Sequence, residues 1–277
     1  MQAWRRFRRN KLAVFGAVFL LVMVLVAIFA DLIAPHPYHK QVLRERLFTP
    51  SLKHPFGTDE LGRSVLSRII FGTRISFVVG FLIVGSAATI GVILGVLSGF
   101  YGGTIDNVIM RLTDIVLSFP AILLSMAIVA ALGPGLINAV IAIIIVAVPT
   151  FARLTRSRVL SVKEEDYIEG ARAIGMHSTS IMLRHVVPNS VGPIIVHASL
   201  QIPRSIIYMA TLSFLGIGAQ PPTPEWGAML STARAYLRTS PHLTLFTGAA
   251  LFLTALAFNA VGDGLRDALD PHTHSRY

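Results

Sequence analysis

The chain has 277 residues, 53% of them hydrophobic and 14% charged, with a net charge of +10 and a mean hydropathy of +0.67. A soluble domain carries nearer a quarter charged residues, so this composition excludes an ordinary soluble protein. The absence of cysteine excludes disulfides, thiolate metal sites and a cysteine nucleophile, and the arginines sit between apolar runs rather than on one soluble face, which argues against nucleic acid as a partner.

The chain opens with "RRFRRNK" and then a run of 19 residues without Asp, Glu, Lys or Arg, 12–30. Signal-peptide cores are about 7–15 residues, so this run reads as an uncleaved first membrane span. Two longer uncharged runs follow, 75–105 with 31 residues and 115–152 with 38. A bilayer crossing takes about 20 apolar residues. Gly133-Pro134-Gly135 breaks a helix on both sides and divides the longest run into two short spans joined as a tight hairpin. The pattern predicts an all-α polytopic membrane protein with six spans, at 12–33, 76–99, 115–132, 136–152, 191–215 and 243–261. Pro120 and Pro149 are expected to kink the third and fourth.

Placing the N-terminus in the cytoplasm puts 14 basic residues inside, among them Arg5, Arg6, Arg8, Arg9, Lys11, Arg266 and Arg276, against nine outside. The outside residues cluster in 35–75, where "ELGRSVLSRIIFGTR" is amphipathic at helical spacing and is expected to lie along the membrane surface. The chain thus divides into an N-terminal part, 1–75, holding the basic segment, the first span and this amphipathic segment, and a five-helix core, 76–277. A cytoplasmic loop at about 153–190 interrupts the core.

That loop carries "EEDYIEGARAIGMHSTSIMLRHVVPN", a polar insert in an oily chain. Ser161 and Glu164 have capping-box spacing, so a helix is expected to start there. Glu164, Glu165 and Asp166 suit its positive N-terminal end, and Arg172 its C-terminal end. Gly175 is placed to close that helix, Ser178 or Thr179 to cap a second one through Arg184 and His185, and Pro188 to open the next span. Two helices this short are marginal alone and need a surface to pack on. Gly170, Ala171, Ala173 and Gly175 give the pair a face suited to close approach.

"EGARAIG" at 169–175, with Pro188 thirteen residues beyond its last glycine, resembles the EAA motif of binding-protein-dependent ABC importer permeases. "FGTDELGRSVLSRIIFGTRIS", "SFLGIGAQPPTPEWGAML" and "FNAVGDGLRDALDP" extend the resemblance over nearly the whole chain. They point to the C-type subunit of dipeptide, oligopeptide and nickel permeases. Gly170 stands where the motif has its first alanine, His185 where an aliphatic residue is usual, and Ser64 where the subgroup commonly has aspartate. The resemblance implies a type I ABC importer permease fold in a bacterial inner membrane, with both termini cytoplasmic. It implies a homologous second permease, two ATP-binding cassette ATPases and an extracytoplasmic binding protein that docks on outer loops including "QPPTPEW". Glu169, Gly170, Ala171, Gly175, His185 and Pro188 would form the ATPase-coupling site. The chain has no Gly-Lys dipeptide and hence no Walker A loop, so ATP and Mg are expected to be used by the partners and no cofactor by this chain.

Arg204 falls inside the fifth span, where a charge usually faces a cavity or a partner. With His197, two turns earlier, it is a candidate for the translocation path and would favour carboxylate-bearing cargo. No catalytic or metal-binding residues are assigned: His272 and His274 are two histidines at a terminus, and Gly85-Ser86 is read as a helix-packing pair rather than a protease serine. Di- and oligopeptides are the expected cargo, with nickel or a metal chelate as the alternative. A self-contained secondary transporter would need acids at mid-membrane, and only Asp31 comes near.

Overall fold

The computed structural model of the chain describes residues 7, 8 and 10–269. Arg5, Arg6, Arg9, His272, His274 and Arg276 lie outside the described residues. Helix α1, Lys11–Ile28, starts where Asn10 Oδ1 accepts the Ala13 N–H at 3.1 Å. Its exposed leucines and phenylalanines suit a lipid surround. A short α2, Ala30–Ile33, leads into an irregular segment with one 3-10 turn, Leu43–Glu45.

The stretch read as a surface segment takes another form. Its second half is the first turns of α3, Val65–Tyr101, a single helix of 37 residues and about 55 Å that crosses the 75/76 division. The polar face is consumed internally. Arg63 Nε donates to Asp59 at 2.6 Å and its Nη2 to Glu60 at 2.9 Å, while Arg68, 4% exposed, lies 3.6 Å from Asp59. Charges that find partners inside the protein do not need headgroups.

The expected third span is also different. Helix α4, Gly103–Leu117, and helix α5, Ala121–Leu132, meet at a 92° bend. Pro120 ends α4 rather than kinking it, because its ring disfavours a helical conformation at Phe119 before it. Helix α4 is amphipathic and exposes Ile105, Val108, Leu112 and Ile115 along one side. Helix α5 has 12 residues, too few to cross a bilayer alone. The Gly133-Pro134-Gly135 hairpin forms as expected, with φ of +93° and +155° at its glycines and the Asn138 amide donating to the Leu132 and Gly133 carbonyls.

Helix α6, Leu136–Lys163, runs unbroken through Pro149. The insert follows as α7, Asp166–Ala173, and α8, Ser178–Ile181, then a π-helical turn, Met182–Val186, and α9, Val187–Phe214. Helix α10, Trp226–Ala233, and helix α11, His242–Leu269, complete the chain. Among the described residues, α1, α3, α6 and α11 are long and apolar enough to cross a membrane, and the bent α4–α5 pair makes a fifth candidate. Helix α9 has 28 residues but carries His197, Gln201 and Arg204, so it falls short in hydropathy rather than length.

The most extensive helix packing joins α3 to α6. Gly91, Gly95 and Gly99 recur every fourth position of α3 and so share one face. A Cβ at Gly91 would stand 2.4 Å from Phe151 Cβ, one at Gly95 2.5 Å from the Ala152 carbonyl oxygen, and one at Gly99 2.8 Å from Val159 Cγ1. Each distance is below van der Waals contact, so only hydrogen fits. Small residues at a membrane helix interface let the backbones approach in this way. The second layer packs α9 on α11 and α11 on α1, with Phe77, Phe151, Ile194, Ile206 and Phe258 buried between the layers.

Gly95→Ala should lower the thermal midpoint of the detergent-purified protein, with a cost of about 1–3 kcal/mol for overpacking against backbone. Gly85→Ala, on the same helix with nothing within 4 Å, should leave it unchanged or slightly raised. Equal midpoints for the two variants would refute the close-packed ridge.

Candidate coupling site and translocation cavity

Helix α6 does not yield to a new helix at Ser161. Ser161 lies inside α6 and its hydroxyl donates to the Ser157 carbonyl at 3.2 Å, so the expected capping box is absent. The chain turns at Glu164, and α7 starts after Glu165, which gives no side-chain cap. The far end of α7 follows the expectation. Gly175 has φ +79°, its N–H donates to the Arg172 carbonyl at 2.9 Å, and the Met176 N–H donates to the Ala171 carbonyl at 3.0 Å. This pair of bonds is a Schellman closure, which a left-handed residue after the helix makes possible.

The second arm is capped by His177, whose Nδ1 accepts the Thr179 N–H at 3.5 Å, instead of by Ser178 or Thr179. It also does not stop at His185. From Ser178 to Phe214 the backbone stays helical, with the π turn Met182–Val186 just ahead of Pro188. Proline lacks an N–H and its ring clashes with the carbonyl four residues back, here Arg184. A widened turn at that place absorbs the clash and lets the helix run on. Pro188 thus sits in the first turn of α9, as expected, although the helical backbone already runs into that turn from the second arm.

The insert is seated on the core by its apolar side. Ile168, Ile181 and Val186 are fully buried against Val96 and Phe100 of α3 and Val159 of α6. Ala171 joins this inner face at 7% exposure, whereas Glu169, Gly170 and Gly175 point outward, so the small residues do not form one surface. His185 is half-buried beside Tyr167, with ring centres 6.2 Å apart, and Pro188 is exposed. The outer face carries bulk that the sequence reading did not single out: Ile174 is 80% exposed, Leu183 59% and Tyr167 45%. These side chains make the outer face a candidate interaction surface.

Ion pairs across the chain hold the helices under this insert, and long separation hid them from a sequence reading. Arg156 of α6 grips Asp106 of α4 with Nε at 2.5 Å and Nη2 at 2.6 Å, and Ser98 of α3 donates to the same carboxylate. Arg153 Nη2 donates to Asp114 at 2.5 Å. Lys163 Nζ donates to the Phe100 carbonyl at 2.8 Å.

Deeper in the chain a cavity of about 140 Å³ opens between α6, α9 and the α4–α5 bend. Arg204 and Gln201 line it from α9, Thr150 and Phe151 from α6, and Phe119 from the bend. His197 does not line it; its ring meets Phe151 edge-on at 4.8 Å, and Gln201 Nε2 lies 3.3 Å from its Nε2 and 3.4 Å from Thr150 Oγ1. Beyond the end of α9 that lies away from the insert, "QPPTPEW" is half anchor and half surface. Trp226 is fully buried with its Nε1–H donating to the Ile69 carbonyl at 3.3 Å, and burial pushes the Glu225 carboxyl up while it caps α10. Gln220, Pro221 and Pro222 remain exposed.

The arrangement has counterparts among known proteins. Residues 91–275 match the family described as binding-protein-dependent transport system inner membrane component, and residues 1–55 the N-terminal TM domain of oligopeptide transport permease C. The Dipeptide transport system permease protein DppC of Alkalihalophilus pseudofirmus is 48% identical over 274 residues, 99% of this chain and 90% of the relative. The Glutathione transport system permease protein GsiD of Escherichia coli O157:H7 is 49% identical over 269 residues, 97% of this chain and 89% of the relative. Among solved structures, an inward-facing MetNI methionine ABC transporter chain superposes with a TM-score of 0.61 at 19% identity, covering 74% of this chain and 97% of that one, which shows the shared type I fold. The family model spans most of the chain and the relatives nearly all of it: the chain belongs to the inner membrane components of binding-protein-dependent transport systems, as a non-enzymatic, multi-pass permease of an ABC importer.

Proposed function

We propose that this permease imports di- and oligopeptides, handed over by an extracytoplasmic binding protein. It works beside a homologous second permease and two cytoplasmic ATPases that consume ATP and Mg. The N- and C-termini lie in the cytoplasm on this reading, with the insert on the same side. The relatives named for dipeptide and glutathione transport support a peptide cargo. Nickel or a metal chelate has less support: among the described residues no group of three His, Asp or Glu is placed to hold a metal ion. A self-contained secondary transporter is disfavoured because the acids that border the first three uncharged runs are engaged: Asp31 pairs with Arg74 at 2.9 Å, Asp106 with Arg156 at 2.5 Å and Asp114 with Arg153 at 2.5 Å.

The observation that carries the proposal is the helical column from Ser178 to Phe214. At about 1.5 Å per residue it is roughly 55 Å long. One end belongs to an insert with an exposed apolar face, and further along it Arg204 lines the cavity. ATPases that grip Glu169, Gly170, Gly175, Ile174 and Leu183 would move that face, and a continuous helix would carry the displacement into the membrane. Ala171 and His185 would shape the site from beneath, and Pro188 lies where the arm becomes the span.

Ile174→Asp with Leu183→Asp should reduce co-purification of the ATPases at least tenfold. Both side chains are exposed, so the isolated permease should lose no more than about 0.5 kcal/mol of stability in a thermal melt. Unimpaired co-purification would remove the insert from the interface.

Asn189→Gly with Val191→Gly should loosen the column at a cost of about 0.3–0.5 kcal/mol per glycine in helix propensity. Peptide uptake per ATP hydrolysed by the complex in proteoliposomes is then expected to fall several-fold, with the ATPases still bound. Uphill uptake by the permease reconstituted alone would overturn the proposal as a whole.

A further inference from the structure

Four polar groups on α9 face the cavity without partners of their own. The Arg204 guanidinium has no ion pair and no hydrogen bond among the described residues, and neither do the hydroxyls of Ser205 and Tyr208. Gln201 has Nε2 within reach of Thr150 and His197, which leaves its side-chain carbonyl oxygen unpaired. The other arginines near this level are engaged: Arg153 by Asp114 and Arg156 by Asp106. Apart from Thr150 the remaining wall is apolar, including Phe119, Phe151 and Val146.

A cation in a membrane-spanning bundle is costly unless it faces water or meets an anion. Polar groups that converge in an otherwise apolar pocket fix a ligand's orientation. Here they comprise a planar cationic donor, a carbonyl acceptor and two hydroxyls. The guanidinium fork matches a carboxylate with two parallel N–H···O bonds. The carbonyl oxygen accepts from an amide or amine N–H. A bare metal cation would be repelled by the first group.

We propose that this cavity is a subsite for the C-terminal carboxylate of a peptide in transit, with Arg204 as the pairing cation and the Gln201 carbonyl oxygen accepting from a peptide N–H. The assignment rests on the peptide-import reading and extends it to the end of the cargo that is recognised. It makes Arg204 a specificity-determining residue: peptides with a free carboxylate are retained in the cavity, and those with a blocked one are not.

The test uses the permease purified together with its second permease and ATPases, without the binding protein. Equilibrium dialysis measures occupancy by radiolabelled alanyl-alanine and by alanyl-alanine amide. The wild type should bind the free acid at least tenfold more tightly than the amide. Arg204→Gln should abolish that preference by weakening the acid alone, and Arg204→Lys, which keeps the charge but not the fork, should retain part of it. Absence of acid binding by the wild type, equal binding of acid and amide, or an undiminished preference in Arg204→Gln would each overturn the subsite. So would loss of the second permease from the Arg204→Gln complex with unchanged occupancy of the assembled fraction, since the guanidinium would then be an interface group. Uptake of alanyl-alanine into proteoliposomes with binding protein and ATP is measured in parallel. Failure of wild-type uptake with acid-selective binding intact would count against the peptide-import reading and leave the carboxylate subsite standing.

Discussion

The architecture depends on one steric constraint, the absence of side chains at Gly91, Gly95 and Gly99. In lipid there is little hydrophobic gain in bringing two helices together, because the tails are as apolar as leucine. Close backbone approach is what makes the contact favourable, through many small dispersion gains. With α3 and α6 held in this way, their adjoining ends present Val96, Phe100 and Val159 as one apolar seat. The insert occupies that seat through Ile168, Ile181 and Val186, which gives two marginal helices the packing that their length alone denies them. The same close contact brings Arg156 of α6 within reach of Asp106, beside Ser98 of α3.

Proline does three different jobs here, and the neighbourhood decides which. At Pro120 the helix simply ends, and the chain leaves at 92°. Pro149 stays inside α6, buried within the bundle. At Pro188 the preceding π turn removes the steric conflict, so a residue that often marks a boundary is spanned. Composition cannot distinguish these outcomes, since the deciding factor is whether tertiary packing compensates the lost backbone bond.

That distinction accounts for what could be read in advance. Membrane class, the glycine hairpin, the closure at Gly175 and the location of the insert were legible because each follows from local chemistry: unbroken apolar runs, left-handed φ values and helix-ending residues. The bent α4–α5 pair, the continuity of α8 into α9 and the buried half of "QPPTPEW" were not, because each is settled by partners distant in sequence. The amphipathic stretch before Ile75 is a more local case. Its arginines have the spacing of a surface helix, but Asp59 and Glu60, three to nine residues away across a turn, take the charge that headgroups would otherwise meet. Glycine spacing on α3 was present in the sequence, yet which glycines abut a neighbour and which, like Gly85, face open space depends on helix rotation.

Mechanically, the consequence is a block that resists internal deformation. The insert is packed on α3 and α6 and continuous with α9; Arg153 and Arg156 tie α4 to α6; the glycine hairpin and the buried Val129 tie α5 to α6. A force applied at Ile174 or Leu183 therefore meets no hinge between the insert and the cavity. Close-packed interiors transmit such a displacement instead of dissipating it. The cavity walls come from the same block, from α6, α9 and the α4–α5 bend, so they travel together. On the proposed function, opening and closing of the cavity would come from movement of this whole body against the second permease at its open side.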